Sequence, residues 1–302
     1  MNTKSRAFRL VDALCLALMI LPIVAAILLK VLFTPASEGI QISGALVFCR
    51  IPMPFLGDFP ITESQVNSAA VVLAILGLCL FLTHGITEKG GSVRQHIAEW
   101  AVEQCDKLVS ANMGSFFGGF APFVGAIMVL SAFSSLLSLF GLYPPTSDIN
   151  IVAGWAILVF LLITYYKFKC GPLQYLKSFT EPVPFLTPLN VISEVATPLS
   201  MAFRHYGNVL SGSVISALIA AALAGLSNLL LGWLPGALGS FPFLRVGIPA
   251  VLSLYFDIFS GLLQAFIFAM LTMLYVAGAF PADDYETRKR KRIEKKKTRE
   301  TF

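Results

Sequence analysis

Pro198-Leu199-Ser200-Met201-Ala202-Phe203-Arg204-His205-Tyr206-Gly207-Asn208 lies inside an apolar run that extends from about residue 188 to 234. A continuous helix of that length rises ~70 Å at 1.5 Å per residue, more than twice the ~30 Å of bilayer hydrocarbon, so it must tilt, bend or lie nearly flat. At its middle stands Arg204, whose guanidinium stays charged at any accessible pH. Placing it at membrane depth costs ~3 kcal/mol on insertion scales and ~10 or more in simulations. Such a charge calls for an ion path, a counter-ion or a carboxylate on a partner.

Working outward, hydrophobic residues make up 56% of the 302 and charged residues 13%, with a mean hydropathy of +0.77. This composition excludes an ordinary soluble domain. Apolar runs of about 20 residues or more also exclude a transmembrane β-barrel, whose strands are shorter and alternate. The fold class expected is an all-α integral membrane protein. The net charge of +5 is no nucleic-acid signal, because nine of the 22 Lys and Arg fall between Arg288 and Arg299 against five acids between Asp283 and Glu300. The tail therefore carries +4 and the body is nearly neutral. Cys15, Cys49, Cys79, Cys105 and Cys170 are scattered, without metal or redox spacing. No phosphate loop, zincin or nucleophile-elbow pattern occurs, so neither a metal nor a cofactor is expected.

Six apolar spans can be drawn, at about 11–33, 66–86, 116–141, 150–168, 188–234 and 243–280. Val93 to Met113 differs. Ile97, Trp100, Ala101, Cys105 and Leu108 share one helical face and Glu99, Glu103, Gln104 and Lys107 the other, as in an interfacial helix. Basic residues cluster before span one and after spans two, four and six, while the intervening loops 34–65, 142–149 and 235–242 hold only Arg50. With six crossings, all the clusters fall on one side, which predicts cytoplasmic amino and carboxyl termini. Span one is alternatively a cleaved signal peptide, but it is long for one and no small-x-small site follows. The last two spans, both overlong, are expected to form a strongly tilted hairpin.

Thr197, Ser200, Arg204, Asn208 and Ser211 line one face of the fifth span at separations of three or four. Ser253, Asp257, Ser260 and Gln264 repeat the device on the sixth. Facing each other, the stripes would hold water and offer oxygens to a moving cation. Gly207, Gly212 and Gly261 would let another helix come close. Plainer readings stand beside these: hydroxyls bonded to their own backbone, Asn208 and Gln264 as interhelical glue, and Asp257 as the buried counter-ion of Arg204.

The Pro198 to Asn208 stretch resembles the signature around the essential arginine of subunit a of F-type ATP synthases, the stationary membrane subunit beside the rotating c-subunit ring. Phe140-Gly141-Leu142-Tyr143-Pro144 with Thr146-Ser147-Asp148-Ile149-Asn150 is similar to that family's third-to-fourth helix turn. Gln264-Ala265-Phe266-Ile267-Phe268 with Leu274-Tyr275 resembles its last helix, and Pro188-Leu189-Asn190-Val191-Ile192-Ser193-Glu194 the start of its long helix. The likeness covers about residues 62–280. It divides the chain into 1–62, an extra transmembrane helix and outer loop; 63–280, the family core; and 281–302, a basic cytoplasmic tail.

The resemblance implies a non-catalytic subunit of a bacterial plasma-membrane rotary ATP synthase, in contact with the c-ring, peripheral-stalk b subunits and lipid, and carrying H+ or Na+ through two offset half-channels. Arg204 would separate the two paths and face the c-ring carboxylate. Asn208 and Gln264 correspond to polar groups near the arginine and outer channel, and Glu194 to the acid on the inner path. Ser200, Ser260, Asp148 and Asn150 are lesser candidates. This chain has Ser213 where many members carry an acid, and Asp257 where their last helix carries His or Glu, so the outer carboxylate is expected at Asp257. His205 replaces a commoner Leu; its ring either titrates or is hydrogen-bonded and points away from the ring of c subunits. A self-contained transporter is the rival class, but no internal repeat supports it.

Overall fold

The structure, a computed structural model, describes residues 3–34, 44–53, 57–88, 91–180, 183–231, 247, 251–252 and 254–280. Loop 235–242, Ser253 and the basic tail lie outside the described residues. Among the described residues, six helical segments are long and apolar enough to cross a membrane: Arg6–Phe33, Glu63–Thr83, Ser115–Phe140, Ile149–Lys169, Pro184–Leu230 and Tyr255–Ala279.

The elements run α1 (Thr3–Phe33), β1 (Val47–Met53), β2 (Gly57–Thr62), α2 (Glu63–Thr83), α3 (Val93–Met113), α4 (Ala121–Leu136), α5 (Ile149–Cys170), α6 (Pro172–Ser178), α7 (Thr187–Leu231) and α8 (Gly261–Ala279). The outer loop of the sequence reading contains an antiparallel hairpin, β1 against β2, pairing Val47 with Thr62 and Met53 with Gly57. Alternation was obscured there by Pro52 and Pro60, which supply no ladder donor and suit a two-stranded ribbon with two edges. Its last residue, Thr62, leads directly into α2, where the Thr62 N–H donates to Gln65 Oε1 at 3.3 Å.

A second departure concerns α3. Its carboxyl-terminal half buries Val109 and Met113, with Cys105 and Leu108 against the same core, but Ile97 and Trp100 are exposed. The face that looks continuous in sequence is therefore divided between this chain's core and its surroundings. The core itself joins α3, α4, α5, α7 and α8 through Val109, Val124, Val159, Met201, Phe268 and Met273. Burial of the thiol raises the pKa of Cys105, whose sulfur lies against Gly125.

α7 is one helix of 45 residues that includes Pro198. α8 is preceded by a π-helical turn, Tyr255–Ser260, rather than the regular α-helix that the four-three-four spacing predicts. Such turns insert an extra residue into the helical ladder and re-aim the side chains around it. Helices approach closely at two glycines. A Cβ on Gly77 would lie 2.6 Å from Met19 N and 2.8 Å from Cys15 O of α1, and one on Gly261 would lie 2.7 Å from Ser135 Cβ of α4. Small residues at such crossings are how helices without a hydrophobic driving force gain contact in lipid.

Candidate functional site

Consecutive residues on α7 differ by about 100° in direction, so neighbours serve different faces. His205 is fully buried between α4, α5 and α8: Nε2 lies 3.3 Å from Ser131 Oγ, and the ring stands edge-on to Trp155 and Phe268 at 5.9 and 5.4 Å. Its Nδ1 has no partner among the described residues. Arg204 is accordingly turned out of the bundle and exposed. Among the described residues its side chain forms no hydrogen bond and no ion pair, with Asp257 or any other acid. The reading of Asp257 as the counter-ion of Arg204 is thereby overturned. Phe203 and Leu199 are exposed on the same helix, and around Gly207 nothing lies within 4 Å of where a Cβ would be. Among the described residues, no helix occupies the space beside Gly207, whereas Gly212 meets Phe256 and Gly261 meets Ser135.

One turn beyond Arg204 the two stripes meet. Asn208 Nδ2 donates to Ser260 Oγ at 2.9 Å. Above this bond is a cleft lined by Ser135, Asn208, Gly212, Ser213, Asp257 and Ser260, with about 20 Å³ of water-accessible volume, room for one water. The π turn helps bring both Asp257 and Ser260 to this cleft. Ser213 hydroxyl donates to the Leu210 carbonyl at 2.8 Å, a bond within its own helix, although the residue lines the cleft. Gln264 is buried one turn further along α8, its side chain without a hydrogen bond among the described residues. Ser200 is exposed on α7, and Ser211 and Thr197 donate to their own helix at Asn208 O and Ser193 O.

At the far end of α7, Glu194 is held by α5. Lys167 Nζ reaches both carboxylate oxygens at 2.6 Å, and Tyr175 OH donates to Oε1 at 3.4 Å. Burial, and then the Glu194 charge, raises the pKa of the Tyr175 phenol. A cavity of about 230 Å³ opens here between Lys167, Glu194, Thr197, Leu274 and Tyr275. It is separate from the Asp257 cleft, and no residue lines both.

At the opposite end of the bundle, Asp148 caps α5: Oδ1 accepts from Asn150 N at 3.0 Å and Asn150 Nδ2 at 3.1 Å, and Oδ2 accepts from Ser64 Oγ. Sequence reasoning missed this hydroxyl and its neighbours on α2. Glu63, Ser64 and Asn67 are all buried. Glu63 Oε1 accepts from Tyr143 N and lies 2.9 Å from Lys30 Nζ, while Asn67 Nδ2 donates to Tyr143 O at 2.8 Å. Desolvation, with Asp148 nearby, raises the pKa of the Tyr143 phenol. Lys167, Ser131 and Ser135 were missed as well. The signals were present as Ser131-Ser134-Ser135 at helical spacing and as three polar residues at the start of an apolar span.

Residues 66–277 match the family model described as the ATP synthase A chain. Relatives named ATP synthase subunit a include that of Priestia megaterium, 33% identical over 243 residues that cover 76% of this chain and 96% of that protein. That of Alkalihalophilus pseudofirmus is 32% identical over 227 residues, 71% of this chain and 90% of its own. That of Legionella pneumophila strain Paris is 27% identical over 234 residues, 77% and 92% respectively.

Proposed function

This chain belongs to the ATP synthase A chain family, a non-catalytic, multi-pass bacterial membrane subunit of the ATP synthase, and we propose that its α7–α8 face is the stator surface along which ions drive a ring of c subunits. The observation that carries this reading is the isolation of Arg204. A cation in the middle of a membrane span, turned out of its own bundle beside the open space at Gly207, requires an acid from another polypeptide. A succession of carboxylates on a rotor meets that requirement. The arginine favours the ionised form of each arriving carboxylate and, as a fixed charge, opposes direct passage of cations.

The two separate cavities supply the offset paths. The outer one runs from Asp148 and Asn150 to the cleft of Asp257, Ser213, Ser260 and Asn208, with Gln264 beside it. Asp257 is its titrating station in place of an acid at Ser213. The inner one is the cavity of Glu194 and Lys167. A field of 100 mV does about 2.3 kcal/mol of work per charge, and the lateral offset turns it into rotation. In this arrangement both termini are cytoplasmic, α7 lies strongly tilted, and the exposed Ile97 and Trp100 of α3 face lipid or the peripheral-stalk b subunits.

The test is Arg204→Ala in the whole enzyme, reconstituted in vesicles. We expect an assembled complex whose ATP synthesis from an imposed ion gradient falls by at least about a hundredfold. A normal rate would refute the assignment.

A further inference from the structure

α1 precedes the family match, which begins at residue 66, yet it sends a charge into the polar network at the outer end of the bundle. Lys30 Nζ lies 2.9 Å from Glu63 Oε1, with the carboxylate side chain only 3% exposed. The same oxygen accepts the Tyr143 N–H at 2.9 Å, and Asn67 holds the Tyr143 carbonyl at 2.8 Å. Both backbone groups of Tyr143 are thus gripped by α2. Tyr143 in turn begins the segment that carries Thr146 and Asp148. Thr146 Oγ1 lies 3.3 Å from Ser135 Oγ, and Ser135 lines the Asp257 cleft. An unbroken series of bonds and hydrogen bonds therefore leads from Lys30 to the wall of that cleft.

The pair is not needed to fasten α1. That helix already packs backbone against backbone at Gly77 and is tied at its other end, where Asp12 Oδ1 accepts from Arg94 and His84, each at 2.9 Å. A buried ion pair adds little to such an attachment, because desolvating two charges offsets most of their attraction. Removing one member is different, since it leaves an uncompensated charge in the network.

We propose that Lys30 is a positioning residue for ion intake: by neutralising Glu63 it fixes the Tyr143–Asp148 segment against Ser135 and sets the geometry and charge of the outer path. This rests on the assignment of that path to the Asp257 cleft. Without the ammonium, the mouth carries one more negative charge and the entering cation is held there. Lys30→Met should leave ATP hydrolysis by the detergent-solubilised enzyme unchanged. It should also lower gradient-driven synthesis by about tenfold and shift half-saturation by the outer ion, H+ or Na+ at fixed pH, to about tenfold lower concentration. Lys30→Arg and the charge-balanced pair Lys30→Met with Glu63→Gln should both return to within about twofold of the parent.

A Lys30→Met enzyme with unchanged synthesis and ion dependence would overturn the inference. So would a lower rate with no shift in half-saturation that the double variant does not relieve, which is the signature of a merely structural contact. If Lys30→Met does not assemble, the double variant decides: assembled and active supports the proposal, unassembled overturns it. Arg204→Ala measured alongside separates the two levels. A normal Arg204→Ala rate removes the channel reading itself, whereas a silent Lys30→Met beside an inactive Arg204→Ala removes only the role of Lys30.

Discussion

Asp257 and Ser213 come from different helices and border one cleft, so chemistry there depends on having a carboxylate in the cleft rather than on which helix supplies it. Replacing Asp257 by Ser should lower gradient-driven ATP synthesis by on the order of a hundredfold, the usual contribution of a proton-transferring side chain. Adding Ser213→Asp to that variant should restore at least about a tenth of the parent rate, because the displaced acid returns to the same space. Synthesis rates in vesicles, normalised to assembled enzyme, decide it, and no recovery would mean that Asp257 acts through its position on the π turn. The Arg204 stripe was legible in the sequence because three-and-four spacing survives on an uninterrupted helix. Glu63, Ser64 and Asn67 were not, since their partners Lys30, Tyr143 and Asp148 are distant in the chain. A polar residue at the end of an apolar span looks the same whether it meets water or a buried neighbour.

Among the elements, α1 was legible as a span but its attachment was not, because crossing points are set by single small residues without a periodic signature. Gly77 is such a point. The atoms that a Cβ would strike, Met19 N and Cys15 O, are backbone and cannot rotate away. Gly77→Val should therefore force α1 and α2 apart, at a cost of about 1–3 kcal/mol for overpacking. The fraction of enzyme that stays assembled through a temperature series in mild detergent should fall. Gly118→Ala, where a Cβ meets nothing within 4 Å, is the control and should behave like the parent. The hairpin β1–β2 and the π turn before α8 escaped the sequence for a related reason: each departs from a regular period, and period is what a sequence displays.

Across the whole molecule, charge rather than packing fixes direction. Lys and Arg flank one set of helix ends and leave the other set nearly bare, so the orientation proposed for a six-crossing chain puts the hairpin on the outer face and α3 on the inner face. Two native cysteines report on this without any added probe site: Cys49 is exposed on β1, and Cys105 is partly buried on α3. A membrane-impermeant maleimide applied to right-side-out vesicles should label Cys49 and spare Cys105. In inverted vesicles Cys49 should be protected unless detergent is added. A cysteine placed in the basic tail, Thr298→Cys, should label in the inverted preparation alone. Labelling of Cys49 and the tail from the same side would mean an even number of crossings between them, not the five of this arrangement. That outcome would also move Glu194 and Asp148 to the wrong sides for the inner and outer paths, so the orientation and the proposed ion route stand or fall together.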